Sequence, residues 1–103
     1  MRQVKYYIEE SGNEPFIQWL RSLPMEYQAA SDKYIRRVLD GGSRKNVKPV
    51  GEGIFEIKIN YGPGIRIYFW EDKNDEVLLH GGVKKRQQAD IERAQRYWRN
   101  LKR

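Results

Sequence analysis

The stretch 55–69 does most to limit what this chain can become. Phe55, Ile57 and Ile59 alternate with Glu56, Lys58 and Asn60. After Tyr61-Gly62-Pro63-Gly64, Ile65, Ile67 and Phe69 alternate with Arg66 and Tyr68, and Trp70 follows. Alternation with period two on both sides of a Gly/Pro turn predicts a β-hairpin. Its apolar set must share one face, because a one-residue slip turns every side chain over. Pairing Ile59 with Ile65, Ile57 with Ile67 and Phe55 with Phe69 satisfies this. The same register sets Lys58 opposite Arg66, Glu56 opposite Tyr68 and Ile54 opposite Trp70 on the other face. A slip of two residues changes the partners but keeps Lys58 and Arg66 on a common face.

The remaining elements fall around that hairpin. Val4–Glu10 is rich in β-branched and aromatic residues and reads as a strand ending at Ser11-Gly12-Asn13. Asn13 is the expected N-cap of a helix over about 14–22, with Glu14 and Pro15 in its first turn. Phe16, Ile17, Leu20 and Leu23 are its apolar stripe, and Pro24 stops it and opens the next helix. Over about 25–40, Tyr27, Ala30, Tyr34, Ile35, Val38 and Leu39 follow the helical period, and Gly41-Gly42 ends the segment. Residues 41–53 read as a basic loop. Val77–Gly81 reads as a third meander strand, broken by Gly81-Gly82. The tail from about Lys85 to Lys102 reads as a helix with Ile91, Ala94, Tyr97, Trp98 and Leu101 on one stripe. The expected fold is α+β: an antiparallel sheet of the N-terminal strand plus a three-strand meander, with a two-helix hairpin and a C-terminal helix. Helices are expected to cover one face and leave the other partly open.

The chain has 103 residues and is expected to form a single domain over 1–103. It has no cysteine, which excludes a disulfide scaffold, a thiolate zinc site and a cysteine nucleophile. It has one histidine, His80, so no multi-histidine metal site exists and no metal or other cofactor is expected. The start lacks the apolar run of a signal peptide, and no stretch approaches the about 20 apolar residues of a membrane span. The expected location is therefore the cytoplasm. The net charge is +6, and it lies in the last 20 residues: 1–83 carry 12 basic and 12 acidic side chains, whereas 84–103 carry 8 basic and 2 acidic. Such a field attracts phosphate or an acidic protein, or serves as a solvated helix face.

Like charges directly across a sheet repel, so the Lys58–Arg66 pair either is relieved by Glu56 and water or awaits an anion. Tyr68 and Trp70, beside it, are expected to stack on RNA bases. Lys48 in the preceding loop, and Lys84, Lys85 and Arg86 beyond the glycine pair, are expected to converge on the same region. His80 sits at the expected strand end; simple alternation groups it with Leu78, opposite Val77 and Leu79. Packing or a hydrogen bond is its expected role, with a general base as the alternative.

The segments GEGIFEIKINYGPGIRIYF and LLHGGVKKRQQADIERAQRYW resemble the RelE/ParE toxin superfamily of bacterial type II toxin–antitoxin modules. The resemblance is closest to its phage-derived, HigB-like addiction module killer group. The matching segments are Gly51–Ile59, Gly62–Phe69, Gly81–Lys84 and Asp90–Ala94. The resemblance implies a small RelE-like domain that cleaves messenger RNA at the ribosome. It implies a cognate antitoxin, of helix-turn-helix type, through which alone the toxin would meet operator DNA. It implies catalytic roles for Lys58, Arg66 and Lys84. Two departures stand out: Glu56 replaces a second basic residue, and only Gln88 or Asp90 lies near the C-terminal acid–base position. In such chemistry the ribose 2′-OH attacks its own phosphorus and leaves a 2′,3′-cyclic phosphate. Arg66 would hold the phosphorane, Lys58 or Glu56 would take the proton, and Lys84 would protonate the leaving oxygen or stabilise charge. ParE-like relatives instead poison DNA gyrase without ribonuclease chemistry, and a decayed, inactive toxin is the third possibility.

Overall fold

The computed structural model describes residues 2–102. The elements run β1 (Gln3–Tyr6), α1 (Pro15–Arg21), α2 (Met25–Leu39), β2 (Val47–Pro49), β3 (Ile54–Ile59), β4 (Ile65–Glu71), β5 (Asp75–Val83), a 3₁₀ turn at Lys84–Arg86 and α3 (Gln87–Lys102). The strands form one five-stranded sheet in the order β1-β5-β4-β3-β2. The fold is α+β, as the sequence predicts.

The central hairpin has the expected register throughout: Ile59 faces Ile65, Lys58 faces Arg66, Ile57 faces Ile67, Glu56 faces Tyr68, Phe55 faces Phe69 and Ile54 faces Trp70. Gly62 and Gly64 make the turn possible, both with positive φ, and the Gly64 N–H donates to the Tyr61 carbonyl. α2 ends as its glycines require. Gly41, at φ +76°, donates to Val38 and Gly42 donates to Arg37, closing the last turn on its own carbonyls.

Several expectations are corrected. The sheet is mixed, because β1 runs parallel to β5; the helical hairpin and the strands after it supply the long connection a parallel pair needs. β1 is shorter than its β-rich composition suggests and ends at Tyr6, although the Tyr7 N–H still bonds to Leu78. The 41–53 segment contains the edge strand β2, where Pro49 is tolerated because an edge position leaves its missing N–H unmissed. The residue preceding α1 is Glu14 rather than Asn13, and Pro15 occupies the first helical position.

Gly81-Gly82 does not break β5 but lies within it. A Cβ at Gly81 would overlap the indole of Trp19 from α1, and one at Gly82 would overlap the carboxylate of Asp90 from α3. The pair is thus the place where helices from opposite sides press closest to the sheet.

Helices also cover both faces, not one. Phe16, Ile35 and Val38 of α1 and α2 pack on Ile57, Ile59, Ile65, Ile67, Phe69 and Leu78. On the opposite face Ala94 of α3, with Ile91, Tyr97 and Trp98, packs on Tyr7, Ile54, Tyr68, Val77 and Leu79. Leu101, at the end of the expected stripe, is exposed. The face expected to be open therefore carries its own small core.

One irregularity places the single histidine. A β-bulge lies where the β4–β5 pairing passes from Tyr68–His80 to Phe69–Leu78, leaving Leu79 as the extra residue. Leu78 stays with the α1/α2 core while Leu79 joins the α3 core. His80 now faces α3 as well, instead of sharing the side of Leu78.

At the other end of β5, Glu76 is fully buried opposite Glu71, and neither carboxylate oxygen has a hydrogen-bond partner among the described residues. Burial first, and then the Glu71 charge, push its pKa up to about 7, against the pull of Arg2 and Arg44. A carboxyl whose pKa is higher folded than unfolded stabilises at low pH, and that contribution is lost as pH rises toward 7. The thermal midpoint should therefore fall less between pH 5 and pH 8 in Glu76→Gln than in the wild type, as differential scanning fluorimetry will read. Separately, Gly81→Ala should cost about 1–3 kcal/mol through overpacking against Trp19, measured by urea unfolding.

Candidate functional site

The α3 side of the sheet carries two neighbouring polar rows, each fixed by strand register. The first crosses four strands: Lys48 on β2 pairs with Glu56 on β3, Glu56 with Tyr68 on β4, and Tyr68 with His80 on β5. The second runs from Lys58 on β3 to Arg66 on β4 to Gly82 on β5.

The first row is sealed by α3. Gln87 donates through Nε2 to both oxygens of Glu56, at 2.9 and 3.1 Å, and the Lys48 ammonium lies 3.7 Å from the same carboxylate. Glu56 is fully buried, so these contacts replace its water. Tyr68 is fully buried too; burial and the neighbouring Glu56 charge push its phenol well above the ordinary range. His80 Nε2 lies 3.2 Å from Asp90 Oδ1. Because Nδ1 has no partner among the described residues, the neutral ring carries its proton on Nε2 and donates it to Asp90. Burial lowers the His80 pKa, Asp90 opposes this, and Arg93 and Arg86 add to the lowering. Tyr97 closes over the ring edge-on, with centroids 6.0 Å apart.

The second row is cationic. Lys58 is exposed, whereas Arg66 is 2% exposed. Arg66 Nη1 donates to the Ile65 carbonyl, and its Nε has no partner among the described residues. Lys84 reaches the same place from the other side of the hairpin turn. Its backbone N–H bonds to the Gly64 carbonyl, and a Cβ on Gly64 would lie 3.1 Å from Lys84 Cβ and 3.4 Å from Arg66 Nη1. Gly64 is thus the gap in which Lys84 and Arg66 meet. Among the described residues, no carboxylate oxygen comes within 4.0 Å of the basic nitrogens of Lys58, Arg66 or Lys84. Three cationic side chains share a neighbourhood without a counter-ion.

The other residues singled out in the sequence separate into distinct places. Lys48 is tied to Glu56. Tyr68 lies in the α3 core, and Trp70 stacks on Trp98 with centroids 4.2 Å apart, so these rings face the helix instead of solvent. The expectation that both offer free stacking surfaces is corrected, because the apolar stripe of α3 claims them first. Lys85 is exposed on the 3₁₀ turn. Arg86 lines a different hollow, beside His80 and Asp90. The roles of Gln87 and Asp90 are missed by composition alone. One signal was present: Asp90 lies four residues before Ala94 and so falls on the buried stripe of α3, where a carboxylate needs a partner.

A sole histidine gives one clean NMR titration. His80 should titrate below the ordinary histidine value near 6.5, and Asp90→Asn should lower it further, since the lost carboxylate favoured the charged ring. A midpoint above the ordinary value would contradict the geometry.

No helix of the described residues is long and apolar enough to cross a membrane, and no group of three or more metal-ligating side chains occurs among them. The chain is 37% identical over 84 residues to an uncharacterized protein of Haemophilus influenzae, a match that covers 77% of this chain and 81% of the relative. Residues 18–99 match the family described as phage derived protein Gp49-like (DUF891). That span contains α2, the central hairpin, both polar rows and most of α3; the chain belongs to this Gp49-like family of phage-derived proteins, a family associated with RelE-type, toxin-like proteins.

Proposed function

We propose that this protein is the toxin of a type II toxin–antitoxin module and that it cleaves messenger RNA at the ribosome. The observation that carries the reading is the uncompensated group centred on Arg66, with Lys58 opposite it across the hairpin and Lys84 beside it at Gly64. Three positive charges without a carboxylate cost stability and suit a ligand that brings negative charge. The family and the shared hairpin motif lend the same support.

In this reading the phosphodiester first meets Lys58 and Lys84, the two exposed members. Arg66 lies behind them, with Nη1 beside Gly64 next to Lys84. The 2′-OH gives its proton to Lys58 in its neutral form and attacks the adjacent phosphorus. Arg66 holds the non-bridging oxygens of the phosphorane through two parallel N–H donors. The P–O5′ bond breaks, Lys84 gives a proton to the departing oxygen, and a 2′,3′-cyclic phosphate remains. Arg66 and Lys84 carry the charge stabilisation, joined by Lys58 once it has taken the proton, so the step calls for no metal. A cognate antitoxin, of helix-turn-helix type, is the partner this reading requires; it would also provide the only contact with operator DNA. The cytoplasm is the compartment of such a reaction.

The withdrawal of Arg66 and the sealing of Glu56 weigh against catalysis by these two groups, and the second reading is a non-enzymatic inhibitor of DNA gyrase. Expression without antitoxin, with mapping of cellular RNA 5′ ends, separates the two. The expected result is arrested translation with cut messages, and a drop in cut ends of about 10²-fold or more in the Lys58→Ala/Lys84→Ala variant. Intact messages with DNA breaks and filamentation would move the assignment to gyrase. Absence of any toxicity would mark an inactive toxin.

A further inference from the structure

A hollow of about 280 Å³ opens at the junction of α1, β5 and α3, lined by Trp19, Gly82, His80, Asp90, Arg86 and Arg93 among others. It is distinct from the Lys58–Arg66–Lys84 cluster, yet both touch the same short element. In the 3₁₀ turn Lys84–Arg86, Lys84 meets Gly64 and Arg66 while Arg86 lines the hollow. At about 2 Å of rise per residue the two cations are close neighbours along the turn.

The charge in the hollow is one-sided. Arg2, Arg36, Arg44 and Arg99 are each held in an ion pair, but among the described residues neither Arg86 nor Arg93 has a carboxylate oxygen within 4.0 Å. Arg86 ends the 3₁₀ turn and Arg93 lies on α3, and both line the same hollow. The one carboxylate in the lining, Asp90, is almost fully buried and accepts from His80. What solvent meets is therefore two guanidinium groups beside the half-buried indole of Trp19.

We propose that this hollow is a phosphate pocket for a second phosphodiester of the same RNA strand, adjacent to the one at Lys58 and Lys84. It rests on the RNA reading above and extends it from one phosphate to two. A guanidinium pair grips a phosphate through several N–H donors, and Trp19 offers an aromatic wall to the attached base. The volume lies near the lower end of small-ligand pockets, so it suits a nucleotide fragment and not a folded partner. By fixing the neighbouring phosphate, the pocket sets which bond of the strand lies over Arg66. Arg86 and Arg93 are thus positioning residues.

The test uses the full chain and a fluorescein-labelled 2′-O-methyl RNA dodecamer, which lacks the attacking hydroxyl and reports binding alone. Anisotropy titrations at several salt concentrations give the slope of log K against log salt. The Arg86→Gln/Arg93→Gln variant should bind about tenfold more weakly at low salt, and its slope should be shallower by about 0.7, the loss of one single-strand phosphate contact. In wild-type protein the His80 imidazole resonances should move as the dodecamer is added, a readout that needs no variant to fold. Wild-type affinity and slope in the double variant, or an unmoved His80, would overturn the pocket. If Lys58→Ala/Lys84→Ala then still weakens binding, the first phosphate site stands without the second. If wild-type protein fails to bind the dodecamer at all, both readings fall. Loss of antitoxin co-purification with unchanged RNA affinity would also overturn the proposal, assigning the arginines to a protein surface.

Discussion

The β3–β4 register is the constraint on which everything else depends. Its three apolar pairs give α1 and α2 a surface to cover, and burying such side chains contributes on the order of 1.5–3 kcal/mol each. Because alternate residues point oppositely, the same pairing fixes Glu56 beside Tyr68 and Lys58 beside Arg66 on the far side. A slip of one strand by one residue would turn its cation, Lys58 or Arg66, toward α1 and α2 and carry three of its large apolar side chains to the α3 side. The fold therefore cannot keep its core without also presenting its cations together.

The second face is held by a different kind of interaction. α3 docks with the Trp70–Trp98 and Tyr7–Tyr97 stacks and a small apolar centre at Ala94. It also contributes Gln87 to Glu56 and Asp90 to His80. Single hydrogen bonds of this kind contribute only about 1 kcal/mol net, but leaving either buried group alone costs about 1–3 kcal/mol or more. Those two contacts therefore define where α3 must start along β5. Among the described residues, Arg66 Nε, the Tyr68 hydroxyl and His80 Nδ1 have no partners in the same layer. A core built for stability alone would have satisfied or replaced them. On the α1/α2 side the corresponding orphan is the carboxylate of Glu76, whereas here three different side chains of the two polar rows are left open.

Charge is distributed with the same asymmetry. The N-terminal 83 residues balance, and several of their arginines are spent on carboxylates: Arg44 grips Glu71, and Arg2 reaches it as well. The excess lies in the 3₁₀ turn and α3, so it borders both the Lys58–Arg66 row and the hollow at Arg86 and Arg93. Positive potential is thereby gathered along one rim of the molecule, where it draws an anionic strand toward the sheet edge.

The sequence by itself determined the hairpin, its register, both helices of the α1–α2 pair and the amphipathic stripe of α3. These are local: period two, period 3.6 and turn glycines are visible within a window of a few residues. It also placed Lys58 and Arg66 on one face, since parity along a strand does not depend on what lies above it. Only tertiary structure decided which surface stays open. Tyr68 and Trp70 look like exposed aromatics until the stripe of α3 is laid over them. Gly81-Gly82 looks like a strand break until Trp19 and Asp90 close on it from either side. His80 changes faces because a bulge adds one residue between it and Leu78. Each of those outcomes depends on residues far apart in the chain meeting across a packed interface, and no local pattern records which of two apolar surfaces a helix will choose.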